Sequence, residues 1–140
     1  MDVPVSGREV SSQADGSRSI RLVIVDDHPL VRQSLQFALL SSEDIEVVGE
    51  AVNGEEAISV CGTLHPDVVL MDLRLPGLSS AEAIRELKRQ QPTPQVLVLT
   101  ADIDERLMPE ALAAGACGYV LKQGELTDIF SAIRAASQMG

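Results

Sequence analysis

Short aliphatic runs recur along the chain, each followed by a polar turn and then by a stretch with helical spacing. The runs are LVIV (22–25), VVLM (68–71), VLVL (96–99) and YVL (119–121). A weaker one, EVVGE (46–50), is charged at both ends, as suits an edge strand. Uninterrupted aliphatic runs are what parallel strands covered on both faces require; half-exposed strands would alternate. Between the runs, Val31, Leu35, Ala38 and Leu39 fall at i, i+4, i+7 and i+8, one face of a helix. Ala57, Ile58, Cys61 and Leu64 make a second stripe, entered through Asn53-Gly-Glu-Glu56, which resembles a capping box. Ser79-Ser-Ala-Glu82 is a better capping box and opens a helix with Ile84 and Leu87 inward. Leu126, Ile129, Phe130 and Ile133 form the last stripe.

The fourth helix is the irregular one. Leu107, Ala111 and Ala114 have helical spacing, but Pro109 sits among them. Proline in a helix interior costs about 3 kcal/mol, whereas the first turn tolerates it. The helix is therefore expected to start near Pro109, leaving residues 102–107 irregular. The whole reads as a β-strand and α-helix alternating five times. Right-handed crossovers then give an open, doubly wound parallel sheet, whose ligands bind beyond the carboxyl ends of the strands.

Composition narrows the choices. The 140 residues suit one domain, and 45% hydrophobic residues supply its core. Only 2% are aromatic, so the core is aliphatic and base-stacking platforms are absent. The net charge of -10, from 21 acids against 11 bases, offers phosphate backbones no basic footprint. Cys61 and Cys117 lack metal-type spacing and read as small buried hydrophobes of a reducing compartment. There is no membrane-length apolar run, and residues 1–19, polar and Ser-rich, read as a flexible leader rather than a secretory signal. The expected location is the cytoplasm.

The chemistry lies in the residues immediately after the aliphatic runs. The first strand delivers Asp26 and Asp27, the third Asp72, the fourth Thr100 and the fifth Lys122. Taken singly, each has an ordinary explanation: an aspartate after a strand is a turn residue, Thr100 a helix cap, Lys122 a surface lysine. Together, at one sheet edge, they are complementary. Three carboxylates repel one another and invite a hard divalent cation with oxygen ligands, of which Mg²⁺ is the usual one beside phosphate. Thr100 offers a hydroxyl, and Lys122 a cation for a carboxylate or a phosphoryl oxygen. A carboxylate flanked by metal and ammonium is a nucleophile toward a phosphoryl group, so the edge reads as an aspartyl-phosphate site with Asp72 as acceptor.

Asp26-Asp27, Asp72, Thr100 and Lys122, in this order and context, resemble the receiver domain of bacterial two-component response regulators over residues 20–138. The resemblance implies a flavodoxin-like fold with strand order 2-1-3-4-5. It implies that a sensor histidine kinase phosphorylates Asp72. Asp27 and Asp72 would ligate Mg²⁺ directly, Asp26 through water, and the backbone carbonyl of Arg74 would complete the protein ligands. Thr100 and Lys122 would each hold a phosphoryl oxygen, and Tyr119 stands where the family keeps a switch aromatic; a half-exposed strand tyrosine is its ordinary alternative. Arg74 and Asp102 would flank the phosphoryl group and tune its hydrolysis. A homodimer would form through the face of helix 4, strand 5 and helix 5, or through helices 1 and 5.

The wording DDHPLVR, MDLRLPG and GYVLK resembles the subgroup that carries a LuxR-type helix-turn-helix output domain. Such a domain is not among these residues, so the sequence is expected to be a truncated form of a DNA-binding transcription regulator, the alternative being a single-domain regulator working by protein contact. Three features depart from the family. Gln123 replaces a proline after the lysine, which questions a cis peptide there; Ser79-Ser80 replaces an Asp-Gly pair, shifting the cap but not the site; Pro109 falls in the signalling helix. His28 is expected in the loop before the Pro29 helix start rather than on the metal, because Mg²⁺ prefers oxygen; His65 is expected in a turn. An aspartate-dependent phosphatase would need a second acid where Arg74 stands. A nucleotide binder would need a glycine-rich phosphate loop, and none occurs. A phosphorylation-independent scaffold would not need the full residue set. Apart from promoting its own phosphotransfer and dephosphorylation, the domain is expected not to be an enzyme.

Overall fold

A computed structural model of the chain describes residues 19–102 and 106–139, so the leader expected over 1–19 lies outside the described residues except for Ser19. The elements are β1 (Ile20–Val25), α1 (Pro29–Leu39), β2 (Ile45–Ala51), α2 (Gly54–Leu64), β3 (Val68–Asp72), α3 (Ser80–Leu87), β4 (Gln95–Thr100), α4 (Leu107–Ala114), β5 (Gly118–Leu121) and α5 (Leu126–Ser137). All strand pairings are parallel, in the order β2-β1-β3-β4-β5. This is the doubly wound, flavodoxin-like sheet that the alternation and the resemblance imply.

The aliphatic runs are buried on both faces because strand side chains alternate and each face has its own helices. Val23, Val25, Val69, Met71, Val96 and Val98 point into one core, with Ala57 and Cys61 of α2, Ile84 and Leu87 of α3 and Met108 and Ala111 of α4. Their neighbours Leu22, Ile24, Val68, Leu70, Leu97 and Leu99 point into the other, with Leu35 and Leu39 of α1 and Ile129, Ile133 and Ala136 of α5. The stripe expected from Leu126 differs at its start: Leu126 is half exposed, because it opens α5 above the rim of the core. No helix of the described residues is long and apolar enough to cross a membrane.

The helix starts follow their local chemistry. Pro29 opens α1 at a position whose missing N–H costs nothing. Ser79 and Glu82 form the complete capping box. Asn53 caps α2 by accepting from Glu56 N, but the Glu56 carboxylate accepts from Val52 N, one residue beyond the cap N–H of a regular box. The fourth helix begins at Leu107, two residues before Pro109. Pro109 thus sits in the first turn, where the N–H groups have no intrahelical acceptor anyway, and the irregular stretch ends at Arg106. Residues 103–105 of that stretch lie outside the described residues. His65 closes α2 in the left-handed region at φ 51° rather than in a simple turn. Among the described residues the cis peptide is Gln91-Pro92, and the Lys122–Gln123 bond is not cis.

Candidate functional site

Parallel strands bring their carboxyl ends to one edge, and the register makes those ends level. Val25 is paired with Met71, so Asp26 and Asp72 leave adjacent strands side by side. Thr100 is paired with Leu121, and the Lys122 N–H donates to the Thr100 carbonyl at 2.7 Å, extending the ladder by one step. Asp26, Asp72 and Thr100 are 0%, 4% and 1% exposed, so two carboxylates are buried with one ammonium to neutralise them. That ammonium is Lys122, whose Nζ stands 2.9 Å from Asp26 Oδ2 and 3.2 Å from Asp72 Oδ2.

The two buried acids divide their oxygens in the same way. Oδ1 of each accepts a backbone N–H two residues further on: His28 N to Asp26 at 2.9 Å and Arg74 N to Asp72 at 3.3 Å. These are ordinary Asx turns, so the commonplace role of a strand-end aspartate is present here too. Oδ2 of each is left to the site. Burial and the charge of Asp26 push the Asp72 carboxyl above its usual range, and Lys122 with the Arg74 N–H offsets only part of this. Burial pulls the Lys122 ammonium down, but its pairing with Asp26 and Asp72 outweighs this and leaves it raised.

Ligand atoms from Asp26, Asp27, His28 and Asp72 lie within 4.8 Å of one another, a spacing that could hold one metal ion. The donor chemistry fits Mg²⁺ through the three carboxylates. Asp26 Oδ2 is buried and has no aligned hydrogen-bond donor despite the nearby ammonium, so it can accept from a metal-bound water. The half-exposed Asp27 carboxylate is open to a cation from the solvent side.

The other expected residues take these places. Thr100 Oγ1 donates to the Asp102 carbonyl at 2.6 Å, turned to its own loop. Tyr119 is 43% exposed on β5. The Arg74 guanidinium stands on the rim, 3.6 Å from the Asp102 carboxylate. His28 lies in the loop before α1, as expected, yet its Nδ1 is 2.8 Å from Asp26 Oδ1 and 3.3 Å from Asp27 Oδ1. Two contacts have no clear mark in the sequence. Ser80 Oγ, buried, faces the carbonyls of Asp72 at 3.0 Å and Leu73 at 2.6 Å, so the Ser79-Ser80 pair supports the site as well as the cap. Arg32 Nη1 donates to the Asp26 carbonyl at 2.6 Å. Its only sequence signal is its place in DDHPLVR.

A family model described as the response regulator receiver domain matches residues 22–134. The transcriptional regulatory protein LiaR of Bacillus subtilis is 41% identical over 119 residues, which are 85% of this chain and 56% of LiaR. The response regulator protein VraR of Staphylococcus aureus is 39% identical over 120 residues, 86% of this chain and 57% of VraR. The chain thus spans a little over half the length of these curated relatives. The solved receiver domain of the response regulator NarL from Mycobacterium tuberculosis superposes with a TM-score of 0.81 at 33% identity, covering 86% of this chain and 98% of that one.

Proposed function

The chain belongs to the family of response regulator receiver domains, and on that premise we propose that it is a phosphoacceptor switch with Asp72 as acceptor. A sensor histidine kinase supplies the phosphoryl group. An Asp72 carboxylate oxygen attacks phosphorus, the P–O bond forms as the P–N bond to the kinase imidazole breaks, and the imidazole leaves with a proton from solvent. Hydrolysis later returns the carboxylate and inorganic phosphate. The domain promotes these two steps on itself and turns over no external metabolite. One observation carries this reading: the partly buried Lys122 ammonium is held between two buried carboxylates at an edge that also presents a hydroxyl.

Asp27 and Asp72 would hold Mg²⁺ directly, Asp26 through water, with the Arg74 carbonyl completing the protein ligands. When bound, the ion neutralises charge on the phosphoryl oxygens. Lys122 exchanges its contact with Asp72 Oδ2 for a phosphoryl oxygen. The Thr100 hydroxyl leaves the Asp102 carbonyl for another, and the half-exposed Tyr119 moves inward with it. That rearrangement biases a two-state surface. The Arg74–Asp102 pair spans the mouth and sets water access to the acyl phosphate.

The readout is dimerisation coupled to an output domain that regulates transcription. Leu30 and Phe37 of α1 and Leu40 at its carboxyl-terminal cap are 74%, 78% and 79% exposed, and Leu126 of α5, which lines one groove with Leu30, is 49% exposed. That apolar face supports α1 and α5 as the dimer surface over the face of α4, β5 and α5, whose exposed Leu112, Tyr119 and Leu121 reach only 40–43%. DNA contact comes from residues outside these 140, since the net charge here is -10. The switch works in the cytoplasm, which the free Cys61 and Cys117 support. Intact-mass measurement after incubation with acetyl phosphate and Mg²⁺ tests the reading. One base-labile phosphoryl adduct is expected on the wild type and none on Asp72→Asn; an equal adduct on both would refute Asp72 as acceptor.

A further inference from the structure

The turn carrying Asp26 and Asp27 is held from outside by a residue that touches neither carboxylate. Arg32, in the first turns of α1, is largely buried, its side chain 15% exposed. Its Nη1 donates to the Asp26 carbonyl at 2.6 Å and its Nε to Glu50 Oε1 at 2.6 Å. Glu50, near the end of β2, accepts on its other oxygen from Gln36 Nε2 at 2.8 Å, so the guanidinium is fixed by two elements at once. The hydrogen bonds from Gln36 and Arg32 hold the Glu50 carboxyl below its usual range. On the other side of the same residue, the Asp26 N–H donates to the Ala51 carbonyl at 3.1 Å.

A peptide unit is planar, so anchoring the Asp26 carbonyl also anchors the Asp27 nitrogen, the starting point of the Asp27 side chain. We infer that Arg32 is a positioning residue for the divalent-cation site, setting the direction in which Asp27 offers its carboxylate. This rests on the phosphoacceptor reading, in which Asp27 ligates the ion directly. The β2 strand thereby takes part in a site to which it contributes no ligand.

The sign of the effect separates positioning from charge. A guanidinium close to a cation site repels the cation, so deleting it would by Coulomb's law tighten Mg²⁺ binding. Loss of positioning weakens it, by the 10- to 100-fold typical of groups that orient metal ligands. The experiment is a Mg²⁺ titration of backbone amide NMR shifts at constant ionic strength, with metal-free thermal melts alongside. Arg32→Met is expected to raise the Mg²⁺ dissociation constant about tenfold or more. Arg32→Lys should fall between, because an ammonium reaches the carbonyl or the carboxylate but lacks the planar fork that spans both. A folded Arg32→Met that binds Mg²⁺ as tightly as wild type, or more tightly, overturns the inference. Should that variant fail to fold, Arg32→Gln, which also deletes the positive charge, decides: binding about tenfold weaker supports the clamp, and unchanged or tighter binding overturns it. Wild-type protein without any Mg²⁺ response would remove the phosphoacceptor reading and this inference together. A wild-type response with unaffected variants would remove the inference alone.

Discussion

Replacing Lys122 by methionine keeps the aliphatic stem and deletes the one charge that neutralises Asp26 and Asp72. At the separations of 2.9 and 3.2 Å and an effective dielectric of about 20, each attraction is worth roughly 5–6 kcal/mol before desolvation is counted. Most of that gain offsets the cost of burying three charges, so the gross sum is not the stability change. The loss appears instead as two buried, uncompensated carboxylates, and breaking such a pair typically costs 3–5 kcal/mol. Lys122 retains 18% side-chain exposure, and the solvent screening this allows brings the expected loss just below that range, to about 2–3 kcal/mol at pH 7 without metal.

The pH dependence makes the reasoning specific. The Asp72 carboxyl is already raised from its ordinary 3.8 by burial and by Asp26, and without Lys122 it rises further. A group whose folded pKa lies above its unfolded one stabilises fully below the unfolded value, and that contribution is lost as pH climbs through the folded value. The gap between Lys122→Met and wild type should therefore be widest at neutral pH and close as pH falls toward 4. Urea denaturation monitored by far-ultraviolet circular dichroism at pH 7 and pH 5, both with chelator, measures it. Adding Asp72→Asn to Lys122→Met should recover at least about 1 kcal/mol, the coupling expected of direct contacts. A loss below about 0.5 kcal/mol at pH 7, the scale of an ordinary surface change, or one equal at both pH values, would refute the charge-compensation account.

The same geometry sets three further outcomes. Asp72→Asn alone should stabilise the metal-free protein at pH 7, because the raised carboxyl is disfavoured there as an anion; thermal melts over pH 4–7 check it, with the difference shrinking toward acid. Ser80→Ala should cost about 1–2 kcal/mol, since the buried hydroxyl serves the Asp72 and Leu73 carbonyls, and the same denaturation curves read it. Phe37→Glu, on the exposed face of α1, should abolish phosphorylation-dependent dimerisation in sedimentation velocity while leaving phosphorylation itself intact.

The fold is largely legible in the sequence because both faces of the sheet are covered. A strand such as VVLM must then be apolar at every position, and each run stands out from the helical stretches on either side. The site is legible for a related reason: a polar residue directly after a buried strand marks the sheet edge, and a parallel sheet gathers all such edges on one side. Other features depend on contacts far apart in the chain. Arg32 and Glu50 are 18 residues apart and meet only because β2 pairs beside β1 and α1 packs against β2. Ser80 reads as half of a cap, and only the tight return from β3 into α3 turns its hydroxyl onto the Asp72 carbonyl. An α4 start at Pro109 is two residues late, because a first-turn proline does not reveal which of the first positions it occupies. Leu126 keeps the helical spacing of its stripe but lies above the rim, where the core has ended.

The central claim is that Asp72, and no other carboxylate of the acidic edge, carries the phosphoryl group. Borohydride trapping reads this directly, because an acyl phosphate is reduced to an alcohol where free carboxylates are not. Protein incubated with acetyl phosphate and Mg²⁺, reduced, digested and sequenced by tandem mass spectrometry, should show homoserine at residue 72, absent when the metal is chelated. Homoserine at residue 26 or 27, or an unreduced residue 72 in a protein that carries a phosphoryl adduct, would contradict the account.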